Sequence, residues 1–447
     1  MFRRVLIANR GAIACRIERT LRKMGVSPVA VYSEADRHSP HVAGADAAVL
    51  IGPPPAAKSY LDVDRILAAA RETGAEAVHP GYGFLSENAD FAERCEAAGL
   101  VFIGPTPAQI RDFGQKHVAR ALAKESDLPL LPGTGLLASP EEAATEARRI
   151  GYPVMLKSTA GGGGIGMRRC ADGAELAAAF EATERVARAN FKSGGLYLEK
   201  LVTRARHVEV QIFGDGEGGV VALGERDCSV QRRNQKVVEE TPAPGISAAT
   251  RAALVAAAVR LGRAARYRSA GTVEFVLDAD GGEFYFLEVN TRIQVEHGVT
   301  EEVTGVDLIE WMVRLAAGEM RGGVEAMGVA AGGAAIEVRL YAEDPAHGFQ
   351  PAPGTVTAWR PPAGDGIRVD THVEAGYVVP PFYDSLLAKV IVLANDRPAA
   401  IAKMIGALEG FAVAGVPTTI PMHLAILRSD DFARGNYDTR SIPGWPR

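Results

Sequence analysis

The chain has 447 residues, 47% of them hydrophobic and 23% charged, with a formal net charge of −5. That length exceeds one ordinary core and predicts roughly two to four domains. The acidic balance argues against nucleic acid as a main partner, and no uninterrupted apolar stretch reaches membrane-spanning length, so no membrane partner is expected.

The basic start Met1-Phe2-Arg3-Arg4 runs into an apolar segment that breaks at Asn9-Arg10, which predicts a first strand, not a signal peptide. Strands at Val5 to Ala8, Val29 to Tyr32, Ala77 to His79 and Val101 to Ile103 alternate with helical spacing at Ala12 to Lys23, Val63 to Arg71 and Phe91 to Ala98. This rhythm predicts an open parallel sheet with helices on both faces. Ligands bind such sheets beyond the carboxyl ends of the strands, and His79-Pro80-Gly81-Tyr82-Gly83 lies at that edge. A helical linker follows from about Thr106 to Asp127, and Pro129 and Pro132-Gly133 mark a boundary. The segment to Lys200 is small enough to act as a lid, with a helix over Ala174 to Asn190. From His207 strands dominate, with helices near Ala249 to Arg266 and Asp307 to Ala317, and more short strands follow from Ala335. Cys15, Cys95, Cys170 and Cys228 form no CxxC pair, which predicts reduced thiols and a cytoplasmic location.

Five of the six residues from Gly161 to Gly166 are glycine. Each loses more backbone freedom on ordering than any other residue, about 0.5–1 kcal/mol relative to alanine, and bare N–H groups that wrap a phosphate chain would offset that. The run lies between the apolar strand Pro153-Val154-Met155-Leu156, ending at Lys157, and a second strand opening at Met167. It therefore predicts a hairpin tip closing over a nucleotide triphosphate, since the P-loop and the dinucleotide fingerprint both need a following helix. A second signal is the alternation over Glu283 to Val289. If the chain stays extended, Glu288, Asn290, Arg292, Gln294 and Glu296 share a face, and Glu274 supplies a further carboxylate from Thr272-Val273-Glu274-Phe275-Val276. A few carboxylates plus phosphate are how hard Mg2+ is held at nucleotide sites. An exposed edge strand with solvated charges is the alternative. The basic segment Glu225 to Lys236 carries interleaved acids and no aromatic partners, which favours anion binding over nucleic acid. Arg339, flanked by apolar residues, reads either as part of the site or as a buried ion pair.

Together the segments IANRGAIACRI, HPGYGFLSENADFA, KSTAGGGGIGM, ERDCSVQRRNQKVVEETPAPG, GTVEF, FLEVNTRIQVEH and YDSLLAKVIV resemble biotin carboxylase, a member of the ATP-grasp ligases. They occur in family order from Val5 to past Lys389. The resemblance implies an α/β fold, α+β overall. Its parts would be a Rossmann-like N-terminal domain (1–112), a helical linker (113–130), an ATP-grasp lid (131–202), an ATP-grasp core (203–330) and a biotin carboxylase C-terminal domain (331–447).

By the same resemblance, Lys116 and Lys157 neutralise ATP phosphates, and Gly161, Gly162, Gly163, Gly164 and Gly166 form the lid loop. Glu199 belongs to the adenine-side hinge, while His207, Gln231 and Asn234 add nucleotide contacts. Glu274, Glu288 and Asn290 bind two Mg2+ or Mn2+ ions. Lys236, Arg292, Gln294 and Val295 hold bicarbonate, Glu296 deprotonates it, Arg339 stabilises the biotin enolate, and Tyr82 and Gly83 border the biotin pocket. The implied ligands are ATP, bicarbonate and carrier-bound biotin. The implied partners are a biotin carrier, a carboxyltransferase and a second copy of the chain in a homodimer, suggested by Gly376 to Lys389. Asn234 departs from the histidine more usual in relatives. Ile165, with the Lys-Ser-Thr opening, resembles the urea carboxylase branch more than the acyl-CoA branch. No Met-Lys-Met biotinylation triplet occurs, so the carrier is expected to be separate or on a longer polypeptide. The competing readings are an acyl-CoA-type biotin carboxylase, another ATP-grasp ligase and a catalytically silent nucleotide-binding subunit.

Overall fold

The computed structural model describes residues 1–158, 166–191, 195–320, 323–327 and 329–445. The first strands are β1 (Arg4–Ile7), β2 (Ser27–Ser33), β3 (Ala47–Gly52), β4 (Ala77–His79) and β5 (Val101–Phe102). They form a parallel sheet in the order β3-β2-β1-β4-β5. Val5, Leu6 and Ile7 are buried because helices cover both faces of the sheet. The helices start and stop where the sequence provides caps. Asp62 accepts from the Arg65 N–H at the start of Val63–Thr73, and Gly74 ends that helix at φ +65°. Thr106 and Gln109 form a reciprocal capping box on Pro107–Gly114. The edge strand β3 was not expected. Its run Ala-Ala-Val-Leu-Ile-Gly is short and half exposed, so it carries little signal of its own.

Strands β6 (Val154–Ser158), β7 (Met167–Cys170) and β8 (Leu196–Lys200) make the small lid sheet, in the order β7-β6-β8. β6 and β7 are antiparallel, with Lys157 opposite Met167, so the glycine run does join two hairpin strands. Gly161, Gly162, Gly163 and Gly164 lie outside the described residues. Gly166 sits at φ +80°, and its carbonyl accepts from the Ser158 N–H. The lid core is a modest cluster that includes Val154, Leu156, Leu176, Phe180 and Leu198.

Strands β9 (Ala205–Asp215), β10 (Val220–Arg232), β11 (Gln235–Thr241), β12 (Arg268–Asp278), β13 (Phe284–Asn290) and β14 (Ala334–Tyr341) join Leu386–Ala394 and Ile367–Thr371 in one eight-stranded sheet. The sheet runs β13-β12-β9-β10-β11-β14 and then into those two strands. It therefore crosses the expected boundary at 330/331 without a break. Among the described residues no helix is long and apolar enough to cross a membrane, and all four cysteines are free.

Candidate active site

Strand pairing builds the site. Arg226 lies opposite Glu209, Glu209 opposite Glu274, and Glu274 opposite Glu288. One row across β10, β9, β12 and β13 thus carries three carboxylates behind one guanidinium. Like charges side by side on a sheet repel, and the surrounding cations compensate. Arg226 donates to Glu209 at 2.7 Å, and the Lys236 ammonium lies 2.6 Å from Glu209, 2.9 Å from Glu274 and 2.7 Å from Glu296. His207 Nε2 is 2.9 Å from Glu274. The other oxygen of Glu296 meets Arg339 at 2.8 Å, and Arg339 also meets Glu239 at 2.5 Å.

These contacts set the ionisation of the acids. Burial opposes the charge on Glu296, but Lys236, Arg339 and Arg226 overcome it and hold the carboxyl well below the usual range. Burial likewise opposes the charge on Glu274, and Lys236 and His207 hold its carboxyl low. Glu337, near Lys389 at 3.7 Å, is pushed up to about 8, chiefly by burial. Burial also raises the Cys228 thiol, so it stays protonated beside Glu296.

Glu288 differs from its neighbours in the row. Burial and the charge of Glu274 raise its carboxyl, and among the described residues no hydrogen bond or ion pair engages it. Asn290, one step of the same face away, turns its oxygen toward Arg292 at 3.1 Å and leaves its buried Nδ2 without a partner. The Glu288 carboxylate, a hard oxygen donor without an ion-pair partner among the described residues and directly opposite Glu274 on the neighbouring strand, fits Mg2+ or Mn2+.

A cavity of about 570 Å3 collects the expected residues. Lys116 and Lys157 line it with His207, Gln231, Asn234 and Lys236. Glu274, Glu288, Asn290, Arg292, Gln294, Val295, Glu296 and Arg339 form its floor and far wall, and Tyr82 and Gly83 close one side. The extended face expected beyond Val289 is corrected. β13 ends at Asn290, and Glu296 caps the helix His297–Thr304 at φ −81°, ψ 12°. The side chains still converge because Arg292 folds back on Gln294 at 2.9 Å and on Glu87 at 2.8 Å. Lys389 also holds the Val295 carbonyl at 2.6 Å. Glu199 and Gly166 are not on the cavity wall. Glu199 is buried in β8 and pairs with Arg120 and Lys157. Asn234 occupies the hairpin between β10 and β11 at φ +65°, next to Arg233 at φ +51°. Asparagine tolerates that left-handed geometry better than most residues.

Sequence reasoning missed Glu87, Glu209, Arg226, Glu239, Glu337 and Lys389. The polar alternation His207, Glu209, Gln211 was the available signal for β9.

The chain matches "Biotin carboxylase, N-terminal domain" over residues 1–110. It matches "Carbamoyl-phosphate synthase L chain, ATP binding domain" over 115–321 and "Biotin carboxylase C-terminal domain" over 337–443. It is 49% identical to the biotin carboxylase of a Nostoc species, covering 99% of this chain and 98% of that one. It is also 49% identical to the urea amidolyase of Saccharomyces cerevisiae, over 99% of this chain and 24% of that protein. A soybean (Glycine max) methylcrotonoyl-CoA carboxylase subunit alpha is 49% identical too, over 99% of this chain and 60% of that protein. Among solved structures, the biotin carboxylase domain dimer of Hydrogenobacter thermophilus 2-oxoglutarate carboxylase, in complex with MgADP, ADP and bicarbonate, superposes with a TM-score of 0.92. That comparison is at 45% identity and covers 98% of this chain and 97% of that one. The chain belongs to the biotin carboxylase family of ATP-dependent carboxylating ligases.

Proposed function

We propose that this cavity carboxylates the ureido nitrogen of carrier-bound biotin, using ATP and bicarbonate. The observation that carries the reading is the junction at Glu296, whose ionised carboxylate is shared between Lys236 and Arg339. Lys236, Arg292, Gln294 and Val295 hold bicarbonate against Glu296. Glu296 takes its proton, and the freed oxygen attacks the γ-phosphorus as the bond to ADP breaks, giving carboxyphosphate. Lys116 and Lys157 hold the phosphates in line. Mg2+ or Mn2+ held by Glu274, Glu288 and Asn290 supplies charge that offsets the phosphate oxygens. Carboxyphosphate splits into CO2 and phosphate. The phosphate takes the ureido proton, and the nitrogen bonds to CO2. Arg339 stabilises the enolate that forms on biotin, beside Tyr82 and Gly83. Glu199 anchors Lys157 in the lid until nucleotide arrives.

Arg339→Ser tests the assignment. It should slow biotin carboxylation far more than bicarbonate-dependent ATP cleavage in the absence of biotin. Equal loss of both removes Arg339 from the enolate role.

The proposed final acceptor is urea or a guanidine-like compound, reached through a carrier and a carboxyltransferase. The lid motif Lys157-Ser158-Thr159 with Ile165 supports it, whereas identity does not choose between the urea and acyl-CoA relatives. Supplying urea-type and acyl-CoA-type carboxyltransferase components separately and measuring which completes turnover decides the branch. A homodimer is supported by the apolar surface at Val378 and Phe382, 60% and 50% exposed, and sedimentation equilibrium tests it.

A further inference from the structure

A second cavity, of about 190 Å3, lies behind the loop that carries Tyr82 and Gly83, and those two residues line both cavities. Its opposite wall is the start of the helix Gly11–Lys23. This 13-residue helix begins without a side-chain cap and with no acid in its first turn. The N–H groups of Gly11, Ala12 and Ile13 meet no acceptor among the described residues, although helix starts normally satisfy such groups with a cap, water or a ligand. Aligned peptide dipoles add a partial positive charge at the same place.

A separate observation points to the same ligand. His372 lines this cavity, is 4% exposed, and has a buried Nδ1 without a hydrogen-bond partner. A Cβ built on Gly11 would lie 3.6 Å from that nitrogen, so the ring stands directly over the helix start. The neighbours allow a tautomer with a proton on Nδ1. Arg10 donates to the Tyr377 hydroxyl oxygen at 3.2 Å, and His372 Nε2 lies 3.1 Å from the same oxygen. A Tyr377 hydroxyl that accepts from Arg10 can donate its own proton to Nε2, and a neutral ring accepting there carries its proton on Nδ1. Burial and the charge of Arg10 keep the ring neutral, lowering it to about 3. Arg10 is itself held by Asp36 through two bonds of 2.8 Å, which fix its guanidinium against that carboxylate. The exposed Asp384 borders the cavity, and one of its oxygens accepts from the Leu386 N–H. It confines an anion to the helix side.

We infer that this cavity binds a small inorganic oxyanion, with phosphate as its type, through the first-turn N–H groups of Gly11–Lys23 and the Nδ1–H of His372. The donors are neutral and fixed, so the site selects by shape and hydrogen bonding, not by net charge. Tyr82 and Gly83 place the bound anion one loop away from the active cavity. The inference does not depend on the reaction assigned there.

Arsenate, a phosphate analogue visible by anomalous scattering, tests it in crystals of the full chain saturated with a non-hydrolysable ATP analogue. The expected result is an anomalous peak within hydrogen-bond distance of the Ala12 N–H and His372 Nδ1. In solution under the same conditions, His372→Phe should weaken phosphate binding about tenfold or more, as loss of a hydrogen bond to a charged group does. His372→Asn, which keeps a donor near Nδ1, should retain most of it. Absence of a peak in this cavity, or equal phosphate affinity in the wild type and His372→Phe, overturns the inference. The crystal experiment needs no variant, so it stands even if His372→Phe fails to fold.

Discussion

Two sheets face the active cavity, and they differ in what they bury. The eight-stranded sheet supplies Lys236, Glu274, Glu288 and Arg339 to the cavity, and behind them it buries Glu209, Arg226, Glu239 and Glu337. Large apolar clusters pack around it, one running through Val208, Val210 and Val273 and another through Val338, Val390 and Val392. The three-stranded lid sheet supplies Lys157 and Met167 to the cavity and rests on a smaller cluster of its own. The buried acids and cations of the cavity are thus placed in a deep, doubly covered sheet, and Lys157 sits on a thin one. Preorganised charge of the first kind is what stabilises a transition state.

The difference is broken most severely at Glu296. Glu296→Ala should lower kcat by roughly 10²–10⁴-fold, the usual worth of a positioned acid or base, while nucleotide affinity changes only a few-fold. Loss of nucleotide binding in parallel would assign the residue to the wrong half of the cavity. Lys157→Met on the lid should do the opposite, raising the KM for ATP roughly tenfold or more through one lost charged hydrogen bond and leaving kcat nearly intact. A collapse of kcat with an unchanged KM would mean that the lid lysine takes part in chemistry.

Stability sharpens the same comparison. Arg226 is fully buried against Glu209, Gln211, Thr272 and Thr300. Arg226→Met leaves Glu209 behind with Lys236 and should destabilise the protein by about 3–5 kcal/mol. Arg120 pairs with Glu199 at the lid and is 24% exposed. Arg120→Met should cost about 1 kcal/mol or less, because Lys157 still compensates Glu199. Urea unfolding that finds the two variants equal would remove the contrast.

Stability also carries a pH dependence. Burial pushes His423 down to about 4, while its Nε2–H donates to the Arg339 carbonyl at 2.8 Å. The unfolded imidazole titrates near ~6.5. Between those values the unfolded chain takes up a proton that the folded chain refuses. The contribution of His423 is therefore complete above about 6.5 and is lost as pH falls toward 4, by about 1.4 kcal/mol per pH unit. His423→Gln can still donate to the carbonyl and should flatten the fall of the unfolding temperature across that window. An unchanged slope would mean that His423 is not held neutral.

Much of this was legible in the sequence, for identifiable reasons. The apolar strand before Lys157 and the restart at Met167 marked the hairpin, because glycine cannot sustain either strand. The alternation over Glu283 to Val289 marked β13, because one of its faces is polar. What escaped has physical causes too. Glu209 lies in Val208-Glu209-Val210, which reads as a strand with one solvated face. In the fold both faces are covered, and the acid is held by Arg226 and Lys236 from other strands. Glu337, in Ile336-Glu337-Val338, hides in the same way. Pairing of β14 with β11 carries the eight-stranded sheet across the expected boundary at 330/331, a continuity that no local feature of the sequence announces.

ADP release from the purified chain with Mg-ATP and bicarbonate, measured with and without free biotin, tests the central claim most directly. The account predicts turnover that requires bicarbonate and rises with biotin. ATP cleavage indifferent to biotin, or none despite nucleotide binding, would contradict it.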